Sequence, residues 1–139
     1  MRLGHSRKIA LLAMVISGGF VVSAATAYAC TALATIHMNS KTATPGQVVE
    51  ASGKDFSGLP TNSAVTVHWN ALDGAVRWSG KPNLDGTVTF SFEVPKDAKP
   101  GRYYTVVATQ YTSSGSAVYG TPARASIRIV APRASRGQI

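Results

Sequence analysis

Cysteine occurs once in the 139 residues, at Cys30, and acidic side chains occur only six times. A single cysteine excludes an intramolecular disulfide, so the fold must be held by its apolar core. Six scattered acids leave little scope for the paired carboxylates of general acid/base catalysis. No G-x-S-x-G elbow and no G-x-x-x-x-G-K-[ST] phosphate loop is present, and "TSSGS" lacks the strand–turn–helix setting of a nucleophile elbow. The three histidines, His5, His37 and His68, have no metal-ligand spacing with one another or with Cys30. Asp73 and Asp85 are each the lone acid of an Asp-Gly turn, whereas calcium needs several oxygens close together. These absences point to a protein that is not an enzyme and has no cofactor or metal.

The apolar run Ile9–Val22 spans fourteen residues, short of the ~20 that a membrane-crossing helix requires. Before it stand Arg2, Arg7 and Lys8 with no acid; after it come small residues ending Ala27-Tyr28-Ala29. A cationic start, a short apolar middle and a small-x-small end make a secretory signal peptide over 1–29. Two readings of Cys30 stay open. Ordinary cleavage after Ala29, with Ala27 and Ala29 satisfying the A-x-A rule, leaves Cys30 as a free N-terminal residue in a secreted, extracellular protein. Alternatively "AYAC" resembles a lipobox, and Cys30 is lipidated, anchoring the chain to the outer face of the cytoplasmic membrane. Ala27 stands where that motif usually carries leucine, but an unpaired cysteine at the junction calls for an explanation.

From Cys30 onward 110 residues remain, the size of one domain. They hold eleven Lys/Arg and six Asp/Glu, a net charge of +5. Arg124, Arg128, Arg133 and Arg136 follow residue 120 without any acid, a balance that suits either an anionic partner such as cell-wall polymer or phospholipid headgroups, or simply a mixed-charge surface with a basic tail. Nucleic acid is excluded by export and by the lack of basic stretches interleaved with aromatics.

The hydropathy pattern beyond residue 30 has period two. "TVTFSFEV" (Thr87–Val94) alternates throughout, with Val88, Phe90, Phe92 and Val94 on one face. "AVTVHW" (Ala64–Trp69) and "ARASIRI" (Ala123–Ile129) behave alike, placing Val65, Val67, Trp69, Ile127 and Ile129 inward. Leu33–Met38, Val48–Gly53, Ala75–Ser79 and Arg102–Gln110 complete seven expected strands, separated by Pro-Gly, Asp-Gly and Lys-Pro turns. The adjacent Tyr103 and Tyr104 leave the facing of one strand open. One apolar face per strand suits two packed sheets better than a closed barrel, which the ten-residue stretch "YTSSGSAVYG" would interrupt. Residues 131–139 read as a disordered basic tail.

Surface recognition is the activity left. Tyr111 and Tyr119 bracket that Ser/Gly stretch in the manner of adaptable binding loops, and Trp78 lies on a short strand. The structural alternative is that the tyrosines pin the loop and that Trp78 is core.

Pro45-Gly46-Gln47-Val48-Val49, Gly53, "VTVHWNALDG", Asp85-Gly86, Val94-Pro95, Pro100-Gly101-Arg102-Tyr103 and "YGTPARASIRIV" occur in that order. In order and spacing they resemble the single immunoglobulin-like domains exported by actinobacteria. The resemblance covers about 85 residues, Thr44–Val130. It implies an all-β fold, an immunoglobulin-like antiparallel β-sandwich of about seven strands over 30–130, preceded by a signal-peptide helix. It implies no shared catalytic activity. A second resemblance is to antitumour-chromophore carriers of the neocarzinostatin type, small exported sandwiches with a ligand cleft and two disulfides, which this chain lacks. The expected function is therefore a non-catalytic binding or structural module of the cell envelope or medium, with an unidentified protein or envelope polymer as partner. On this reading the membrane is touched only through the signal peptide or a lipid on Cys30. The alternative is a small-ligand carrier with a cleft between the sheets.

Overall fold

The computed structural model describes residues 32–133. The signal segment 1–29 with its Ala27–Ala29 junction, Cys30, and positions 134–139 of the tail lie outside the described residues. Eight strands follow in order: β1 (Thr35–Met38), β2 (Thr42–Ala43), β3 (Val48–Lys54), β4 (Val65–Trp69), β5 (Val76–Gly80), β6 (Val88–Glu93), β7 (Tyr103–Thr109) and β8 (Ala123–Ile129). They form a three-stranded sheet, β1-β3-β6, and a five-stranded sheet, β2-β8-β7-β4-β5. The protein is thus all-β over these residues, a sandwich of two sheets around one core. Every pairing is antiparallel except β2 with β8, which is parallel.

Strand β2 lies within the stretch "KTATPGQ", which the sequence pattern assigns to a turn. Two residues are too few to display a period. The segment is strand because it lies along β8: Arg128 N–H donates to the Lys41 carbonyl and Val130 N–H to that of Ala43, both at 2.9 Å. A Ser40 hydroxyl turn before it and a Gln47 amide turn after it carry the chain from one sheet to the other. Strand β1 begins at Thr35, two residues later than the pattern indicates, and Leu33 is left exposed.

The alternation in β6 is realised in full: Val88, Phe90, Phe92 and then Val94 are buried. Opposite them Val65, Val67, Ile127 and Ile129 have no exposed surface. These strands are β-branched and aromatic, types that fit a pleated half-buried surface. The paired tyrosines of β7 resolve as Tyr103 outward and Tyr104 inward. Tyr104 stacks on Trp69 with ring centroids 5.0 Å apart, and its hydroxyl accepts the Lys99 N–H at 3.0 Å. Trp69, read from the sequence as core, sits half-buried at the margin of the core. β7, the central strand of the larger sheet, buries both faces from Val106 to Thr109.

Candidate functional site at the loop end of the sandwich

Strands β1, β4, β6 and β8 start at one end of the sandwich, where β3, β5 and β7 finish. Four segments therefore meet there: the entering chain 32–34, the β3–β4 loop 55–64, the β5–β6 turn 81–87 and the β7–β8 loop 110–122. They touch in sequence. Ala34 N–H donates to the Gly120 carbonyl at 3.2 Å. Ser63 exchanges hydrogen bonds with the Tyr111 backbone: its N–H donates to the Tyr111 carbonyl at 2.7 Å, and its hydroxyl oxygen accepts the Tyr111 N–H at 2.9 Å. At Gly58 an added Cβ would fall 2.4 Å from the Leu84 carbonyl, so loop and turn lie backbone to backbone.

Buried amides and one cation hold these loops. Gln110, only 1% exposed, accepts the Ser57 N–H through Oε1 at 2.8 Å. Its Nε2 donates to the Ser57 and Ser63 carbonyls at 2.8 and 3.1 Å. Asn62 Nδ2 donates to the Ser57 hydroxyl at 2.6 Å, and Lys81 Nζ donates to the Pro60 and Asn62 carbonyls. The β5–β6 turn needs Gly86, which has φ of +83° and packs against the Phe56 carbonyl where no side chain fits. The stretch "YTSSGSAVYG" is a closed hairpin, with Tyr111 bridged to Ala117 and the Thr112 N–H donating to the Ser116 carbonyl at 2.7 Å. Hydrogen-bonded closure of this kind presents its residues in one geometry, unlike an adaptable loop.

Asp85 shapes the same turn. The Thr87 hydroxyl and then the Thr87 N–H donate to its Oδ1, at 2.7 and 3.1 Å, and together hold its carboxyl below the ordinary carboxylate range. A carboxyl lowered in the folded state stabilises the fold above its unfolded pKa of about 3.9, and the contribution fades as pH falls through the folded value. In a carboxyl NMR titration the Asp85 midpoint is therefore expected below that value. Thr87→Ala, which removes the hydroxyl donor, should move the midpoint upward.

Large apolar side chains stand on this scaffold in the open. Leu84 at the turn tip is 89% exposed, Tyr119 68%, Leu33 and Leu59 64%, and Tyr111 41%. Tyr111 and Tyr119, singled out by their positions around the Ser/Gly stretch, are thus joined by three leucines that sequence reasoning missed. The signal was there: "SGLP" and "NLDG" each place a leucine inside turn chemistry, where a polar residue would serve the turn equally well.

Trp78 is not brought to this end. It sits within β5, half-buried and stacked on Phe90 at 5.1 Å, on the flank of the core. It also borders an open depression of about 440 Å³ with Asn39, Glu50, Ser52, Thr89 and Ser91, the hydroxyl-rich outer side of the three-stranded sheet. His37 is exposed on β1. The His68 Nδ1–H donates to the Gly74 carbonyl at 3.0 Å, and its Nε2 faces the Thr109 hydroxyl at 3.2 Å. Thr109 is 3% exposed, and its hydroxyl also donates to the Thr66 carbonyl, so this chain of contacts ties β4 to β7 and to the β4–β5 turn. Among the described residues no group of three His, Cys, Asp or Glu could hold a metal ion, and no helix is long and apolar enough to cross a membrane. No protein-family model matches the chain, and no protein of curated function matches it.

Proposed function

We propose that this protein is an exported, non-catalytic immunoglobulin-like module of the bacterial cell envelope or the surrounding medium, and that its contact surface is the loop end. The observation that carries the reading is the set of five exposed Leu and Tyr side chains on loops pinned by Gln110, Asn62 and Lys81. Binding residues concentrate on loops held by a rigid scaffold.

The immunoglobulin-like assignment is supported by the strand order, in which β4, β7 and β8 correspond to C, F and G and β1, β3 and β6 to A, B and E. Tyr104 supports it too: it lies near the start of the F-like strand and bonds back to backbone five residues upstream, as in a tyrosine corner. Two residues on, where antibody domains carry a cysteine, the chain has buried Val106. Export rests on the N-terminal pattern Arg2–Ala29. The carrier alternative is less favoured, because Val65, Val67, Val94, Ile127 and Ile129 at the centre between the sheets have no exposed surface.

The chain from Cys30 onward, incubated with isolated bacterial envelopes, is expected to sediment with them. A variant carrying Leu59→Ser, Leu84→Ser and Tyr119→Ser should lose roughly tenfold or more of that retention, as for hot-spot residues. Equal retention of both proteins would sink the proposal.

A further inference from the structure

We infer that the loop end rests on the outer surface of a lipid bilayer, with Leu33, Leu59 and Leu84 entering the boundary of the acyl chains and Tyr111 and Tyr119 at headgroup level. The inference rests on the loop end being the contact surface and adds what it contacts.

Three observations converge. The first is placement. Of the nine large apolar side chains exposed among the described residues, these five stand on the loops of one end. The other four are divided between the β4–β5 turn (Leu72) and outward strand positions (Val48, Val76, Tyr103). The second is chemistry. Aliphatic tips with tyrosines beside them match the layering of a membrane interface, where tyrosine rings lie with one side in the apolar region and the hydroxyl in water. The ionisable side chains at this end, Lys54, Asp55, Lys81 and Asp85, balance in charge, so the contact is apolar.

The third is attachment. The chain enters the domain at this end, where Ala34 is bonded to Gly120 and the Ala32 and Leu33 backbone passes over that glycine. Cys30 is four residues before Ala34, at most ~14 Å of extended chain. The apolar run Ile9–Val22 precedes it. A lipid on Cys30 therefore joins the domain beside the exposed leucines, while Val130 leaves at the opposite end. A tether this short holds the loop end at high effective concentration over the lipid.

Because Cys30 is the only thiol, the chain from Cys30 onward can be coupled through it to a maleimide lipid. The compact unit Ala32–Ile139 carries its own core, so this chain folds without the segment before it. Vesicles of phosphatidylglycerol and brominated phosphatidylcholine would then report depth by quenching tryptophan. Leu84→Trp is expected to add emission that the bromolipid quenches, and Leu72→Trp, at the far end, to add emission quenched roughly twofold less or not at all. Without the tether, in Cys30→Ser, substituting Leu33, Leu59 and Leu84 together by serine should weaken vesicle sedimentation by roughly tenfold or more. That loss should persist in 0.5 M salt, where surface electrostatics is screened. An unchanged melting curve would separate lost docking from lost folding.

Equal quenching at both ends, or none at either, would overturn the inference. So would a serine variant that merely converts a dimer to a monomer in gel filtration, since the occupant would then be a second copy of the chain. If envelope retention depends on Leu59, Leu84 and Tyr119 while pure vesicles are ignored, the contact surface survives and the lipid does not. If neither depends on them, both readings fall.

Discussion

Gln110→Ala is expected to lower stability by about 3 kcal/mol, which corresponds to a fall in melting temperature of roughly 15 °C for a domain of this size. The side chain is buried to 1% exposure and satisfies three backbone groups of the β3–β4 loop: the Ser57 N–H, the Ser57 carbonyl and the Ser63 carbonyl. Truncation leaves those groups facing a cavity, and an orphaned buried donor or acceptor costs about 1–3 kcal/mol by itself. Partial entry of water into the vacated space keeps the sum near the lower end of what three such groups would give. Gln110→Glu separates hydrogen bonding from volume. Its carboxylate keeps the size but cannot donate to either carbonyl, so it should be destabilised at neutral pH and recover in part as acid protonates it. Urea unfolding at pH 7 and pH 4.5 measures both effects. A loss below about 0.5 kcal/mol for the alanine variant would mean that the loop is held by Asn62 and Lys81 alone.

Phe90→Ala should cost about 3–5 kcal/mol, the range for deleting a buried aromatic ring. Phe90 is 4% exposed, stacks on Trp78 at 5.1 Å and lies 6.3 Å from Phe92. It bridges β6 and β5, the last strands of the two sheets on that flank. Without the ring Trp78 has no stacking partner, and its emission should shift to the red even where the variant remains folded. Val107→Ala provides the contrast. Val107 is also buried, but on the outer side of β7 and apart from the inter-sheet core. Its loss should fall near 1–2 kcal/mol, because fewer buried methyl groups are removed. Comparable losses for the two would show that the flank collapses onto the space Phe90 leaves.

The two-sheet architecture was legible wherever a strand keeps one wet face. In β6 and β8 alternation alone assigns each side chain, because burial on one face imposes period two. It was not legible for β2, whose two residues owe their conformation to a partner eighty-six positions later in the chain. Tyr103 and Tyr104 could not be told apart locally, since the choice depends on Trp69 and on the Lys99 N–H. The contact surface was legible through Tyr111 and Tyr119, where aromatics stand out against Ser and Gly. Leu33 was absorbed into a strand, and Leu59 and Leu84 into turns. Their grouping depends on which loops share an end, and that follows only once strand pairing is known. Gln110 likewise appears as the final residue of a strand until the loop around Ser57, fifty-three residues earlier, is seen to close over it.

The position of β8 sets a timetable for folding. This last strand lies between β2 and β7 and contributes Ile127 and Ile129, neither with any exposed surface. Before residue 129 has been synthesised, β2 has nothing to pair with, and one edge of β7 lacks its neighbour. At roughly 5–20 residues per second, the smaller sheet and the β5-β4-β7 part of the larger one are therefore available to pair before β8 appears. Only the final strand joins β2 to β7 and seals the core with Ile127 and Ile129, so the finished fold waits for nearly the whole period of translation.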